Sequence, residues 1–336
     1  MVGNFIRSTA RCGATWFLTL ATLSWAAPVG AAHSLWLHRL GPVSNTIATP
    51  AALPPAQRSS TFNIPRPAYF REVTGRGLLL ALWINGRGPY NFVIDTGAGA
   101  TIVSSRVATE ANLSVMRNRS NKIAGLSGIL STTTATEAKL KSIAIGDRDN
   151  LLPATGTVLV ADIFPSDIDG LLDPTESYWP LGYVIDFPGR QLSAFDPRVS
   201  PLRSSYEPDG GAVVPWARDS YGRRPYVLLD DGQRALLDTG SEFGLALSDN
   251  SPYDSRLSSN RPVRDVGGGT ISARRVAPTT VAIGSLALRG VPTDLVTGTE
   301  RGAPVLLGRA ALRPFRISFD PISRLIEIAP AIRTER

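Results

Sequence analysis

Two aspartates in this chain stand in nearly the same surroundings. Asn91-Phe92-Val93-Ile94-Asp95-Thr96-Gly97-Ala98 is an apolar run ending in Asp-Thr-Gly and a small residue, and Arg234-Ala235-Leu236-Leu237-Asp238-Thr239-Gly240-Ser241 repeats it. Each run has the length of a buried strand. Gly97 and Gly240 let the backbone turn sharply and leave the carboxylates unobstructed. One Asp-Thr-Gly by itself is an ordinary turn at a strand end. Two copies at mid-domain spacing predict a duplicated fold that brings one carboxylate from each half together. Facing carboxylates cannot both ionise easily, so they hold one proton between them. The ionised member can then take a proton from water while the protonated one polarises a carbonyl. Such chemistry requires no metal, no cofactor and no covalent intermediate, and none is expected.

Composition narrows the alternatives. Cys12, His33 and His38 are the only cysteine and histidines, so the body after residue 40 has neither type. It cannot build a Ser-His-Asp triad, a Cys-His dyad, a His-ligated zinc site or a disulfide framework. An oxygen-ligated metal site passes this filter, but no calcium-loop spacing of carboxylates is present. With 43% hydrophobic and 19% charged residues over 336 positions, the chain is an ordinary globular protein with room for two domains. The formal charge of +7 comes from arginines spread along the chain, with lysine only at 122, 139 and 141, and no basic-aromatic motif accompanies them. Nucleic acid is therefore not an expected partner.

Taken in order, residues 1–32 read as an export signal. Arg7 and Arg11 precede an apolar stretch from Ala14 to Ala27, and Gly30-Ala31-Ala32 is a small-residue cleavage site. The stretch is short for a membrane span of roughly 20 residues. A periplasmic or secreted protein with no stable membrane anchor after cleavage is expected; an uncleaved N-terminal anchor is the alternative. Residues 33–67 form a Pro/Ala-rich linker or pro-segment, which could set Arg58 or Arg66 over the two aspartates. Two lobes follow, at 68–200 and 201–336, with the boundary in Asp196–Gly211 where Pro197, Pro201, Pro208, Gly210 and Gly211 cluster.

Within each lobe the same signals recur. Asn85-Gly86 between apolar runs predicts a hairpin whose returning strand delivers Asp95, and Asp230-Asp231-Gly232 does the same for Asp238. Ile143-Ala144-Ile145-Gly146 answers to Val281-Ala282-Ile283-Gly284, and Asp169-Gly170-Leu171-Leu172 to Pro304-Val305-Leu306-Leu307-Gly308. Val184 to Leu192 answers to Ile317 to Leu325. With the Gly-bearing segments Ile123 to Ile129 and Val266 to Ile271, four features in one order amount to an internal repeat. Helices are expected only at Ser105–Leu113 and Arg309–Phe315. The architecture is mainly β, in two similar lobes, and a monomer suffices to build the pair.

These residues resemble the aspartic peptidase superfamily, and more closely its bacterial tandem retropepsin-like members than full pepsins. The resemblance is carried by Gly86 to Ala98, by Asp238-Thr239-Gly240-Ser241 and by Leu306-Leu307-Gly308-Arg309, and spans about residues 75–330. It implies two homologous pepsin/retropepsin-like lobes with an active-site cleft between them. Asp95 and Asp238 would be catalytic and Thr96 and Thr239 would cross-brace their loops, with Gly97, Ala98, Gly240 and Ser241 in support. A hydrophobic-hydrophobic-Gly element would pack behind each aspartate loop. Gly-rich hairpins, at Gly125 and Gly128 in the first lobe and Gly267, Gly268 and Gly269 in the second, would cover the cleft as flaps. The substrate would be a peptide or unfolded protein bound as an added strand.

Two departures stand out. Asp173 occupies the place of the glycine after Leu171-Leu172, and neither flap carries the tyrosine of pepsins. Beside the motifs, Ser241 could donate its hydroxyl to Asp238 whereas Ala98 offers Asp95 nothing, which predicts Asp238 as the base and Asp95 as the acid. Glu242 reads as a solvated or cleft-edge charge. The alternatives to a peptidase are an inactive peptide-binding module of the cell envelope that keeps the cleft, and an envelope structural protein.

Overall fold

The computed structural model describes residues 62–126, 132–153, 156–217, 223–248, 260–264, 269–299 and 303–330. The export signal, Arg58 and most of the linker lie outside the described residues, as do Gly128, Gly267 and Gly268.

The first half contains β1 (Ala68–Tyr69), β2 (Arg71–Val73), β3 (Gly77–Ile84), β4 (Arg87–Ile94), β5 (Ile102–Val103), α1 (Ser105–Glu110), β6 (Ser114–Ala124) and β7 (Thr132–Leu140). It continues with β8 (Ile143–Ile145), β9 (Gly156–Val160), β10 (Gly170–Leu172), α2 (Pro174–Ser177), β11 (Gly182–Asp186) and β12 (Gln191–Phe195). The second half contains β13 (Ala212–Pro215), β14 (Tyr226–Leu228), β15 (Arg234–Asp238), β16 (Leu245–Ser248), β17 (Arg261–Arg264) and β18 (Thr270–Ile283). After these come β19 (Leu286–Thr297), β20 (Val305–Gly308), α3 (Arg309–Leu312), β21 (Phe315–Asp320) and β22 (Leu325–Pro330). The fold is mainly β, as expected.

The duplication is visible strand by strand. One sheet runs β3-β4-β10-β5-β9-β7-β6 and is extended by β2 beside β3; the other runs β14-β15-β20-β16-β19-β18-β17. The senses of pairing agree as well. β4 lies parallel to β10 as β15 does to β20, and β5 parallel to β9 as β16 does to β19. Asn85 (φ 48°) and Gly86 (φ 72°) both sit in the left-handed region that a two-residue hairpin demands, so β4 returns directly along β3. The Asn85 side chain fixes this turn by accepting from the Lys141 and Ser142 N–H groups. Ser104 caps α1 by accepting from Val107 N–H, and Asn112 at φ 51° ends it short of Leu113. α3 is likewise a single turn, because Phe315 already opens β21.

A third sheet, ordered β1-β12-β11-β21-β22-β13, draws three strands from each half. At its centre β11 and β21 pair antiparallel, with Ile185 opposite Ile317 and Tyr183 opposite Phe319. These are the segments that match in sequence, so the repeat meets itself here. Tyr183 stacks on Phe319 with centroids 4.5 Å apart, Tyr178 stacks on Tyr183, and Trp216 meets Phe319 edge-on. Aromatic packing of this kind adds about 0.5–1.5 kcal/mol per pair beyond area burial. It ties both halves together.

Candidate active site

Each aspartate is placed where a buried strand breaks. Asp95 follows β4, and its N–H donates to Leu172 O of β10 at 3.0 Å. Asp238 ends β15 opposite Gly308 of β20. The threonines then lock the two turns reciprocally. Thr96 N–H donates to Thr239 Oγ1 and Thr239 N–H to Thr96 Oγ1, both at 3.1 Å. Their hydroxyls continue across, Thr96 to Leu237 O at 2.6 Å and Thr239 to Ile94 O at 3.0 Å. Both threonines are fully buried, so the four bonds are shielded from competing water.

The glycines set how closely the carboxylates approach. A methyl group on Gly97 would lie 2.8 Å from Asp238 Cγ, and one on Gly240 would lie 2.5 Å from Asp95 Cγ. Each loop therefore rests on the opposite carboxylate, which only a residue without Cβ permits. Asp95 Oδ1 accepts one backbone N–H, from Gly97; Asp238 Oδ1 accepts two, from Gly240 and Ser241. Withdrawal from water and the Asp238 charge hold the Asp95 carboxyl well above the usual carboxylate range. Withdrawal from water also raises Asp238, but its hydrogen bond with Asp95, the two N–H donors and the Arg309 charge oppose that rise. Of the two carboxyls, Asp95 is thus the more strongly raised. The sequence reading rested an asymmetry of the pair on the Ser241 hydroxyl; the donor found on Asp238 is a backbone group. Ser241 contributes its backbone N–H, while its Oγ accepts from Phe243 N–H at 3.2 Å.

Sequence reasoning places Arg309 just after the second Leu-Leu-Gly and assigns it no role; the structure gives it one. The side chain is 1% exposed; Nη1 donates to Thr239 O and Gly240 O at 2.9 Å each, and Nη2 pairs with Glu242 at 3.2 Å. Glu242 borders the cleft, and it also accepts from Gly75 N–H of the first half at 2.6 Å. In the first half Asp173, 1% exposed, stands where the second half has Gly308, and it caps α2 by accepting from Thr175 N–H at 2.9 Å. The signal was available: Asp-Pro-Thr-Glu has an N-cap residue, proline at the first helical position and an acid at the third. The Asp173 N–H donates to Thr101 Oγ1, and Glu176 Oε2 accepts from Thr101 N–H, so α2 holds the far end of the Asp95 loop.

A cleft of about 1180 Å³ opens over the pair. One wall is the apolar cluster of Ile102, Ile123 and Leu171, against which Ala98 packs; the other contains Tyr226, Leu236, Phe243, Ile271 and Leu306. Gly125 borders the cleft just past the end of β6, and the adjoining Leu126 packs against the second-half cluster. Gly269 lies buried just ahead of β18. Arg66 does not cover the aspartates. Its guanidinium pairs with Asp149 at 2.7 Å and Asp147 at 3.5 Å, and its N–H donates to Asn150, which commits it to the turn after β8.

No curated protein matches the chain significantly. Residues 80–162, from β3 through the Asp95 loop to just past β9, match the family described as gag-polyprotein putative aspartyl protease, and that similarity supports an aspartic protease of the retropepsin-like kind.

Proposed function

We propose that the chain is an aspartic endopeptidase that hydrolyses peptide bonds with a water activated between Asp95 and Asp238. The observation that carries this reading is the reciprocal threonine brace, which presents the two carboxylates to each other at the floor of the cleft. Asp238, the better stabilised anion, takes a proton from water; Asp95 donates its proton to the carbonyl oxygen of the scissile bond. An extended peptide laid along the cleft would send alternate side chains into the two apolar walls. This favours apolar residues on either side of the cut.

The tandem, two-lobed arrangement on one chain lets a monomer supply both aspartates. Residues 1–32 support export to a periplasm or beyond; among the described residues no helix is long and apolar enough to cross a membrane. The test is cleavage of an unfolded protein by the purified chain from pH 3 to 8, beside Asp95→Asn. Cleavage lost in the variant and blocked by a statine-type transition-state mimic is the expected result. Absence of cleavage, before and after removal of residues up to Pro67, would favour the peptide-binding module instead.

A further inference from the structure

We propose that Asp173 is a positioning residue, which acts through Asp95 and, once ionised, discourages the loss of the Asp95 proton. The proposal rests on the aspartate pair being the working site.

Placement comes first. Leu172 pairs with Ile94 in parallel register, and Asp95 N–H donates to Leu172 O, so the chain enters Asp173 directly beside Asp95. Adjacent strands lie about 4.8 Å apart. The other half has Gly308 in that place, where a Cβ would come within 2.5 Å of Phe243 O, and the next residue is the buried cation Arg309. An acid therefore stands behind one loop and a cation behind the other.

Capping does not account for an acid there. A cap needs one acceptor, which Asn or Ser would supply. Asp173 uses Oδ1 for this, while Oδ2 is buried without a hydrogen-bond partner among the described residues. Such an atom is costly unless it does something else. Its charged and titratable surroundings come from four elements. The Glu176 charge of α2 opposes its ionisation, whereas the Thr175 and Glu176 N–H groups favour it, as does Arg223, ahead of β14, which also pairs with Glu176 at 3.1 Å. Tyr183 of β11, itself stacked on Tyr178, reaches it through Thr175 Oγ1 at 2.9 Å, and Asp95 lies on its own loop. Burial outweighs the rest and lifts the Asp173 carboxyl to about 7.

Below neutrality Asp173 is neutral and silent. Above it, an anion behind Asp95 discourages the loss of the Asp95 proton, while Arg309 holds the charge on Asp238. The alkaline edge of activity is thereby carried upward.

The test is the pH–rate profile of the full chain beside Asp173→Asn, which keeps a capping oxygen and removes the charge. The alkaline limb is expected to move down by about one unit, the size of a nearby like-charge effect, with the acid limb in place. An alkaline limb that stays where it is would overturn the proposal, since a capping role alone moves neither limb. If Asp173→Asn does not fold, Asp173→Ser serves the same comparison. If the chain cuts nothing, the peptidase reading fails and the ¹³C titration of the Asp95 carboxyl decides this proposal by itself. The same downward shift in the variant supports it, and an unchanged midpoint overturns it.

Discussion

Asp173→Asn should stabilise the protein at neutral pH and not at acid pH. In the folded chain this carboxyl binds its proton up to about pH 7, against 3.8 when solvated. A group held so binds a proton more tightly folded than unfolded, so its contribution to stability is complete below about pH 3.8 and is lost as the pH rises to 7. A rise of about three units at 1.36 kcal/mol per unit makes that loss about 4 kcal/mol. The side chain is 1% exposed, so little of it is screened by solvent. Asparagine accepts the Thr175 N–H equally well and cannot ionise, so its variant escapes the loss. Urea unfolding of both proteins at intervals from pH 4 to 8.5 checks this. The gap between them should open steadily between pH 4 and 7, in favour of the variant, and then level off. In thermal scans it should reach roughly 10 °C, at 2–4 °C per kcal/mol for a protein of this size. A gap equally wide at pH 4 and pH 8 would refute the reasoning, because it would show that Asp173 titrates alike in both states.

Two further substitutions probe the frame around the pair. Thr239→Val keeps the shape but strands the Thr96 N–H and the Ile94 carbonyl in a dry interior, which should cost roughly 2–4 kcal/mol in urea unfolding. Gly240→Ala places a methyl 2.5 Å from Asp95 Cγ, where about 3.5–4.0 Å is comfortable, and so pushes the carboxylates apart by about 1 Å. Under the peptidase reading, kcat should fall about 100-fold with an unaltered far-UV circular dichroism spectrum; full activity would show that the two loops need not touch.

Much of the fold was legible in the residues themselves. Asn85-Gly86 dictates a reversal through local backbone preference alone, and the reversal is present with both residues at positive φ. The resemblance put Leu171-Leu172 and Leu306-Leu307 behind the aspartate loops, and β10 and β20 do pair there with β4 and β15. What escaped was set by tertiary pairing. Nothing local in Val184-Ile185 says that it lies against Ile317-Ser318, so the sheet shared by both halves could not be foreseen. Arg309 looks like any arginine until two carbonyls and two acids are found around it. Arg66 failed as a cover for the aspartates for the same reason: its partners Asp147 and Asp149 are some 80 residues away in sequence and adjacent in space.

The threonine brace also sets a timetable. Thr96 and Thr239 are separated by 143 residues, and each satisfies the other's backbone N–H. At ribosomal rates of about 5–20 residues per second, the first aspartate loop waits roughly 7–30 s for its partner. Until then Thr96 N–H and Ile94 O have no mate. The shared sheet delays closure further, because β13 has no partner until β22 has been made. A nascent first half therefore carries its aspartate in an unfinished turn, and the pair is assembled as a late step of folding, by the same contacts that join the two halves.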